Sequence, residues 1–361
     1  MENIFSGEKV NSGRQNEWDF AKVFAIVLMI VTHYFAFCTF GDIDYNSEIL
    51  ILFILCECSA PIFMFAMGIG MVYTRHNAPR EFIIRGIKLL ILGLIVNTIY
   101  FLSNYSAGVP LEYALLSFLA NDILQFAGLS FILIGILKKL NVRTIEIFLI
   151  SILLSLIATY TPDFTIANMY LNQLLGHFLE TVGDYIVSCF PIFNWFILPV
   201  CGMMFGENLI RCNNKEKLYK NILKISGIMI LIMVIVGFLS LKGMFSVTGG
   251  TVPEKLAYLH ISIPDIFILI MVAVFIASVF YFISEKCPQK IINLVRRASA
   301  NVTITYIIQW ILILSLTFLN PYLFIETNLF IAIAVLLFVI FASFALAEIY
   351  VKLKNYLRPY F

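Results

Sequence analysis

The residues best suited to chemistry lie in the first apolar run. EWDFAKVFAIVLMIVTHYF (17–35) carries Asp19, Lys22 and His33. An imidazole is the side chain that takes and gives a proton near neutral pH. In a dry site it can act as general base toward a hydroxyl or amine, or accept an acyl group itself. Its plain alternative is a hydrogen bond to a neighbouring helix. Asp19 and Lys22 are three apart on one helical face and can pair. His33 lies eleven residues beyond Lys22, about 16 Å along a helix axis and on nearly the same face. A line therefore runs from a cation at the helix start to an imidazole deep in the run.

Further polar residues interrupt apolar runs, where each is costly and so a functional candidate. Glu57 sits in the second run and would need His33 or a cation as partner. Asp122 and Gln125 lie three apart in the fourth, where Gln125 suits orienting His33 or holding an acyl carbonyl. Asn194 and Trp195 open the sixth and suit the acceptor side, or an interfacial anchor. Asn301, Tyr306 and Gln309 fall in the ninth, where Gln309 can donate to a developing oxyanion. For all of these the competing role is polar contact between helices. His177 and His260 read as solvated loop histidines. The seven cysteines show neither disulfide-scaffold nor metal-knuckle spacing, and no metal is expected.

The elements that must hold these residues are membrane helices. The chain of 361 residues is 61% hydrophobic and 13% charged, with a mean hydropathy of +0.94. A soluble domain could not hide that much apolar surface. Apolar runs near 20–38, 49–73, 83–102, 113–137, 144–160, 190–210, 221–241, 263–284, 300–319 and 328–351 predict an all-α, polytopic integral membrane protein of about ten transmembrane helices. With the N-terminus inside, every lysine and arginine of the 24 except Lys242 and Lys255 falls on the cytoplasmic side. That bias predicts both termini in the cytoplasm. One transmembrane domain over 1–361 is expected, with a polar N-terminus (1–18) and extracytoplasmic loops at 161–189 and 242–262. In the first loop Ile166, Met169, Tyr170, Leu174 and Phe178 recur at helical spacing, predicting an amphipathic helix at the outer surface.

The pattern Asp19-x2-Lys22-x10-His33 resembles the opening of the transmembrane acyltransferase superfamily. That superfamily includes the heparan-α-glucosaminide N-acetyltransferase-like family and the related acyltransferase family 3. Those families usually place Arg, then Gly or Ala, where this chain has Lys22 and Val23; lysine keeps the charge and loses the planar fork. SAPIFMFAMGIGM (59–71), RGIKLLILGLIVN (85–97), FPIFNWFILPVCGMMFGE (190–207) and RASANVTITYIIQWIL (297–312) are similar to further family segments, in order. DILQFAGLSFILIGIL (122–137) is similar to the Leu-Gln-x-x-Gly span of the heparan-type branch.

The resemblance implies transfer of an acyl group, most often acetyl, from cytosolic acyl-CoA to a hydroxyl or amine of an extracytoplasmic acceptor such as a glycan. His33, Gln125 and Gln309 would be catalytic. Asp19, Lys22, Arg75 and Arg85 would hold the donor, although positive-inside topology alone also explains the basic loops. Glu57, Asp122, Asn194, Trp195, Asn301 and Tyr306 would line the substrate site. Acetyl-CoA or another acyl-CoA is the expected co-substrate, the bilayer the expected surroundings, and a homodimer an open alternative; nucleic acid is not expected. Compact loops and no targeting segment point to a bacterial plasma membrane. Competing readings are a proton-coupled transporter or flippase, and a non-catalytic membrane component. Against a carrier, no inverted repeat relates the halves.

Overall fold

A computed structural model describes residues 4–38, 58–161, 165–181, 188–239, 263–323 and 329–357. They form fourteen described helices: α1 Asn16–Cys38, α2 Ser59–Tyr73, α3 Pro79–Ser106, α4 Leu111–Phe118, α5 Ile123–Lys139, α6 Thr144–Tyr160, α7 Met169–Leu175, α8 Ile192–Trp195, α9 Ile197–Leu209, α10 Lys215–Leu239, α11 Ile263–Lys286, α12 Gln289–Ala300, α13 Val302–Leu323 and α14 Leu329–Leu357. No strand occurs among the described residues; the two β-bridges, Phe5 with Cys212 and Asn121 with Ser188, are isolated.

Local chemistry explains the helix starts. Pro79 supplies a preset φ at the start of α3, and Glu81 reaches back to accept from the Ala78 N–H at 3.2 Å. Glu146 does the same for Arg143 at the start of α6, at 2.9 Å. Asp122 caps α5 and Asn168 caps α7.

Helix α1 is the hub, touching α2, α11, α12, α13 and α14. Two glycine crossings bring other helices close. A Cβ on Gly86 of α3 would stand 2.5 Å from the Gly128 carbonyl of α5. A Cβ on Gly68 of α2 would stand 1.9 Å from the Pro199 carbonyl of α9. Such contacts suit helices with no hydrophobic drive between them in lipid, since small residues maximise backbone packing. The outward faces are apolar: Ile91 and Leu102 of α3, Leu149 and Leu153 of α6, and Leu337 and Phe341 of α14 are all exposed, as lipid contact allows.

Five helical segments are long and apolar enough to cross a membrane: Asn16–Cys38, Pro79–Ser106, Ile192–Leu209, Ile263–Lys286 and Phe330–Leu357. Gln289–Ala300 with Val302–Thr317, bent by 70°, makes a sixth if counted as one span. Ser59–Tyr73 and Thr144–Tyr160 are apolar but shorter. The described helices thus supply five or six qualifying segments against about ten expected. One reason is that the apolar run at 113–137 is not one rod. It breaks at Leu119–Asp122 into α4 and α5, because Asn97 draws the Phe118 and Ala120 carbonyls to its amide at 3.0 and 2.8 Å.

The segment after α6 contains a short helix whose polar side faces the protein and whose apolar side faces outward. In α7 the polar Asn172 and Gln173 are buried, while Leu171 and Leu174 are exposed. Gln173 donates to the Leu119 carbonyl at 3.2 Å and Asn172 accepts from the Ile166 N–H at 3.0 Å. Buried loop backbone needs polar partners, whereas apolar side chains at a membrane face do not need burial in protein.

Candidate active site

The centre forms where α13 meets α1 and the N-cap of α5. Tyr306, Gln309 and Trp310 fall at i, i+3 and i+4 on α13, so one face presents all three. Opposite them, His33 and Phe37 share a face of α1. The half-buried His33 ring has its Nδ1 2.9 Å from Gln309 Nε2. Trp310 lies over the imidazole, ring centres 4.3 Å apart and planes 31° apart. Tyr306 meets it edge-on at 6.1 Å. Phe37 and Tyr100 pack on Trp310 at 5.2 and 6.3 Å.

The Tyr306 hydroxyl donates to Asp122 Oδ2. Asp122 Oδ1 accepts from the Ile123 N–H at 2.6 Å, and the Asp122 N–H donates to Gln125 Oε1 at 3.3 Å. The carboxylate therefore closes the N-terminus of α5, where the helix dipole favours negative charge, while its second oxygen anchors Tyr306. Gln125 is pressed against α3, a Cβ on Gly93 standing 2.7 Å from its Cδ. The amide reaching His33 is thus that of Gln309, and Gln125 serves the Asp122 turn. Gln125 Nε2 and Gln309 Oε1 are both buried with no hydrogen-bond partner among the described residues.

The Gln309 contact sets the proton inventory of the imidazole. As oriented, the amide N–H donates to Nδ1, which leaves the ring proton on Nε2. A half-turn of the amide lets Oε1 accept from an Nδ1–H and frees the Nε2 lone pair. The second arrangement is the one a general base requires, and it satisfies the bare Oε1.

Asp19 belongs to a different place. It lies fourteen residues before His33, about 21 Å down α1. It accepts from Arg14 Nε at 2.5 Å and from the Ser299 hydroxyl at 2.6 Å, with Lys22 Nζ 4.0 Å away. Arg85 of α3 and Arg14 both lie within repulsive reach of Lys22. Arg85 stacks over Phe131 at 4.6 Å, and Arg75 is exposed in the turn between α2 and α3. Asn194 donates to Glu180 Oε1 at 2.7 Å, and Trp195 packs edge-on against Phe190 at 5.1 Å. The Asn301 carbonyl accepts from the Ile304 and Thr305 N–H groups at the bend between α12 and α13. Glu57 and His260 lie outside the described residues.

Sequence reading missed Trp310 and Tyr100 as walls of the centre. Trp310 was visible as the neighbour of Gln309, four after Tyr306; Tyr100 had no signal, since only folding brings it there. It also missed a buried charge cluster at the start of α1. Glu17, 1% exposed, accepts from Lys215 at 2.7 Å and from Tyr219 at 2.9 Å, while Trp18 donates to Tyr219 at 3.1 Å. His177, expected to be solvated, is half-buried: its backbone N–H donates to Leu174 and its carbonyl accepts from Ile192. Burial lowers its pKa below the ordinary 6.5.

The family described as heparan-alpha-glucosaminide N-acetyltransferase, catalytic, matches residues 14–241, more than half of the chain. The chain belongs to this family. No curated protein and no solved structure matches it. Membership in an acetyltransferase family, with five or six apolar helices of spanning length, makes this an integral membrane protein of the acetyltransferase class. The matched stretch contains Asp19, Lys22, His33, Asp122 and Gln125 and stops before α13. Tyr306, Gln309 and Trp310 lie outside the matched stretch and meet His33 and Asp122 through tertiary structure alone.

Proposed function

We propose that the protein is a membrane-embedded acyltransferase. It moves an acyl group, acetyl by family, from cytosolic acyl-CoA to a hydroxyl or amine of an extracytoplasmic acceptor, a glycan. In this reading the chain is one domain of ten spans with both termini in the cytoplasm, in a bacterial plasma membrane.

The observation that carries the reading is a half-buried imidazole gripped at Nδ1 by one amide and walled by Trp310 and Tyr306. With Gln309 Oε1 accepting from Nδ1–H, His33 Nε2 takes the proton from the acceptor as its oxygen or nitrogen attacks the thioester carbonyl. The new C–O or C–N bond forms, the C–S bond breaks, and the imidazolium returns the proton to the departing thiolate. Gln125 Nε2, a buried donor without a partner, suits the developing oxyanion. Asp122 holds Tyr306 in place against the ring, and Tyr306 with Trp310 keeps water from the intermediate geometry.

The donor's polyanionic end suits the cluster near Lys22. Arg14 and Lys22 gather there at one carboxylate, Asp19, which Arg14 and Ser299 already occupy, and Arg85 lies within repulsive reach of Lys22. Cations gathered in excess of carboxylates favour a phosphate ligand. Arg75 adds long-range attraction from the turn. Asn194 and Trp195, with Asn301, are assigned to the acceptor path and the bend rather than to the reacting atoms.

The test uses the purified chain in detergent with acetyl-CoA and amino-sugar acceptors. Free thiol release should need both substrates. His33→Ala should abolish release while its thermal midpoint and acetyl-CoA binding stay those of the parent. Turnover by His33→Ala at the parent rate, or no acetyl-CoA binding by the parent, would overturn the reading.

A further inference from the structure

Helix α12 has three distinct faces. Ile292 and Ser299 point into the protein, and Ser299 donates to Asp19. About 120° around the helix, Ile291 and Leu294 are exposed, at 44% and 53%. The third sector carries Lys290, Asn293 and Arg297, which together with Arg296 line one open groove. The helix bends 70° away from α13. If α13 runs along the membrane normal, α12 lies nearly in the membrane plane, between the ends of two apolar helices.

Charge in the groove is unbalanced. Among the described residues Glu348 of α14 is the carboxylate paired with a groove cation, 3.5 Å from Arg297, and it is shared with Lys352 at 3.2 Å. Arg296 spends its Nε on the Asn16 side-chain oxygen at 2.8 Å, and its carbonyl accepts from Arg14 at 2.6 Å. Lys290 makes no ion pair among the described residues. Asn293 accepts from Gln289 at 3.0 Å, which leaves its amide N–H groups available. Three cations and an amide thus converge beside exposed aliphatic side chains.

We propose that this groove binds the phosphate headgroup of an anionic phospholipid from the adjoining leaflet. Apolar side chains next to a basic groove on an in-plane helix match the depth profile of a lipid: acyl chains against Ile291 and Leu294, phosphate between Lys290, Arg296 and Arg297. A soluble anion would gain nothing from the aliphatic flank. The occupant anchors α12, and through the Ser299–Asp19 contact it braces the cation cluster at the foot of α1. The site is separate from the His33 centre, so it stands or falls independently of the transfer reaction.

The experiment is native mass spectrometry of the full chain in mixed micelles of nonionic detergent with either phosphatidylglycerol or phosphatidylcholine. The parent should retain phosphatidylglycerol in preference, and the preference should weaken as salt rises. Lys290→Gln and Arg297→Gln should each lower retention about fivefold, and the charge-keeping pair Lys290→Arg with Arg297→Lys should restore it. Lys290→Gln removes no ion pair, so it keeps the test available should the Arg297 variant fold poorly. Equal retention of the two lipids, or parent-like retention by Lys290→Gln, overturns the proposal. So does displacement of the retained lipid by free CoA, which would assign the groove to the nucleotide of the acyl donor.

Discussion

Replacing Gly68 by alanine tests the tightest packing in the fold. The added Cβ would stand 1.9 Å from the Pro199 carbonyl oxygen, 2.7 Å from its carbon and 2.9 Å from the Met203 nitrogen, where ordinary contact begins at 3.4 Å. All three neighbours are backbone, so no side chain can rotate away, and α2 and α9 must part by more than an ångström. Helix propensity alone would favour alanine by about 1 kcal/mol. Overpacking of this kind costs about 3 kcal/mol, the upper end of the usual range, because the partner is rigid. The net loss is about 2 kcal/mol, or a fall of about 3 °C in thermal midpoint for a chain of this size.

Gly70→Ala is the matched control, since nothing lies within 4 Å of its Cβ. It should leave the midpoint unchanged or raise it. Gly202→Ala, 2.1 Å from the Phe65 carbonyl on the same crossing, should match Gly68→Ala. The double variant should cost less than the sum, because the first alanine already separates the helices. Differential scanning fluorimetry in one detergent reads all four. A Gly68→Ala midpoint at or above that of Gly70→Ala would refute the close crossing.

Gln309→Leu should lower kcat by between about tenfold and a hundredfold, less than loss of a general base, with the thermal midpoint near the parent's; steady-state kinetics beside a melting curve checks it. Glu17→Ala should destabilise by about 2–3 kcal/mol, below the full cost of breaking a buried pair because Lys215 is 23% exposed and also bonds Gln15 at 2.7 Å. Glu17→Gln should fall between Glu17→Ala and the parent in denaturant titration. Because burial depresses the His177 pKa, the unfolded chain binds more protons than the folded one as pH falls below about 6.5. Stability should therefore drop on acidification through that value, and His177→Gln should flatten that part of the midpoint-against-pH curve.

Composition and spacing determined the coarse character of this protein. Apolar runs of spanning length set the helices because lipid leaves the backbone no other way to satisfy its hydrogen bonds. The Asp19, Lys22 and His33 pattern and the Leu-Gln-x-x-Gly span marked the family because they lie close together in the chain. Asp122 and Gln125 were legible as a pair three apart in one run, and the structure joins them in a capping box at the start of α5.

Tertiary structure decided which amide holds His33. Gln125 and Gln309 look alike as polar residues in apolar runs, but Gly93 pins the first against α3 and the α1–α13 contact delivers the second to Nδ1. It likewise decided that Lys215 and Tyr219 close over Glu17, some two hundred residues away. It also turned the polar side of α7 inward. Periodicity reports that a helix has two faces. Only the packed neighbours, here loop carbonyls on one side and lipid-compatible surface on the other, decide which face goes where.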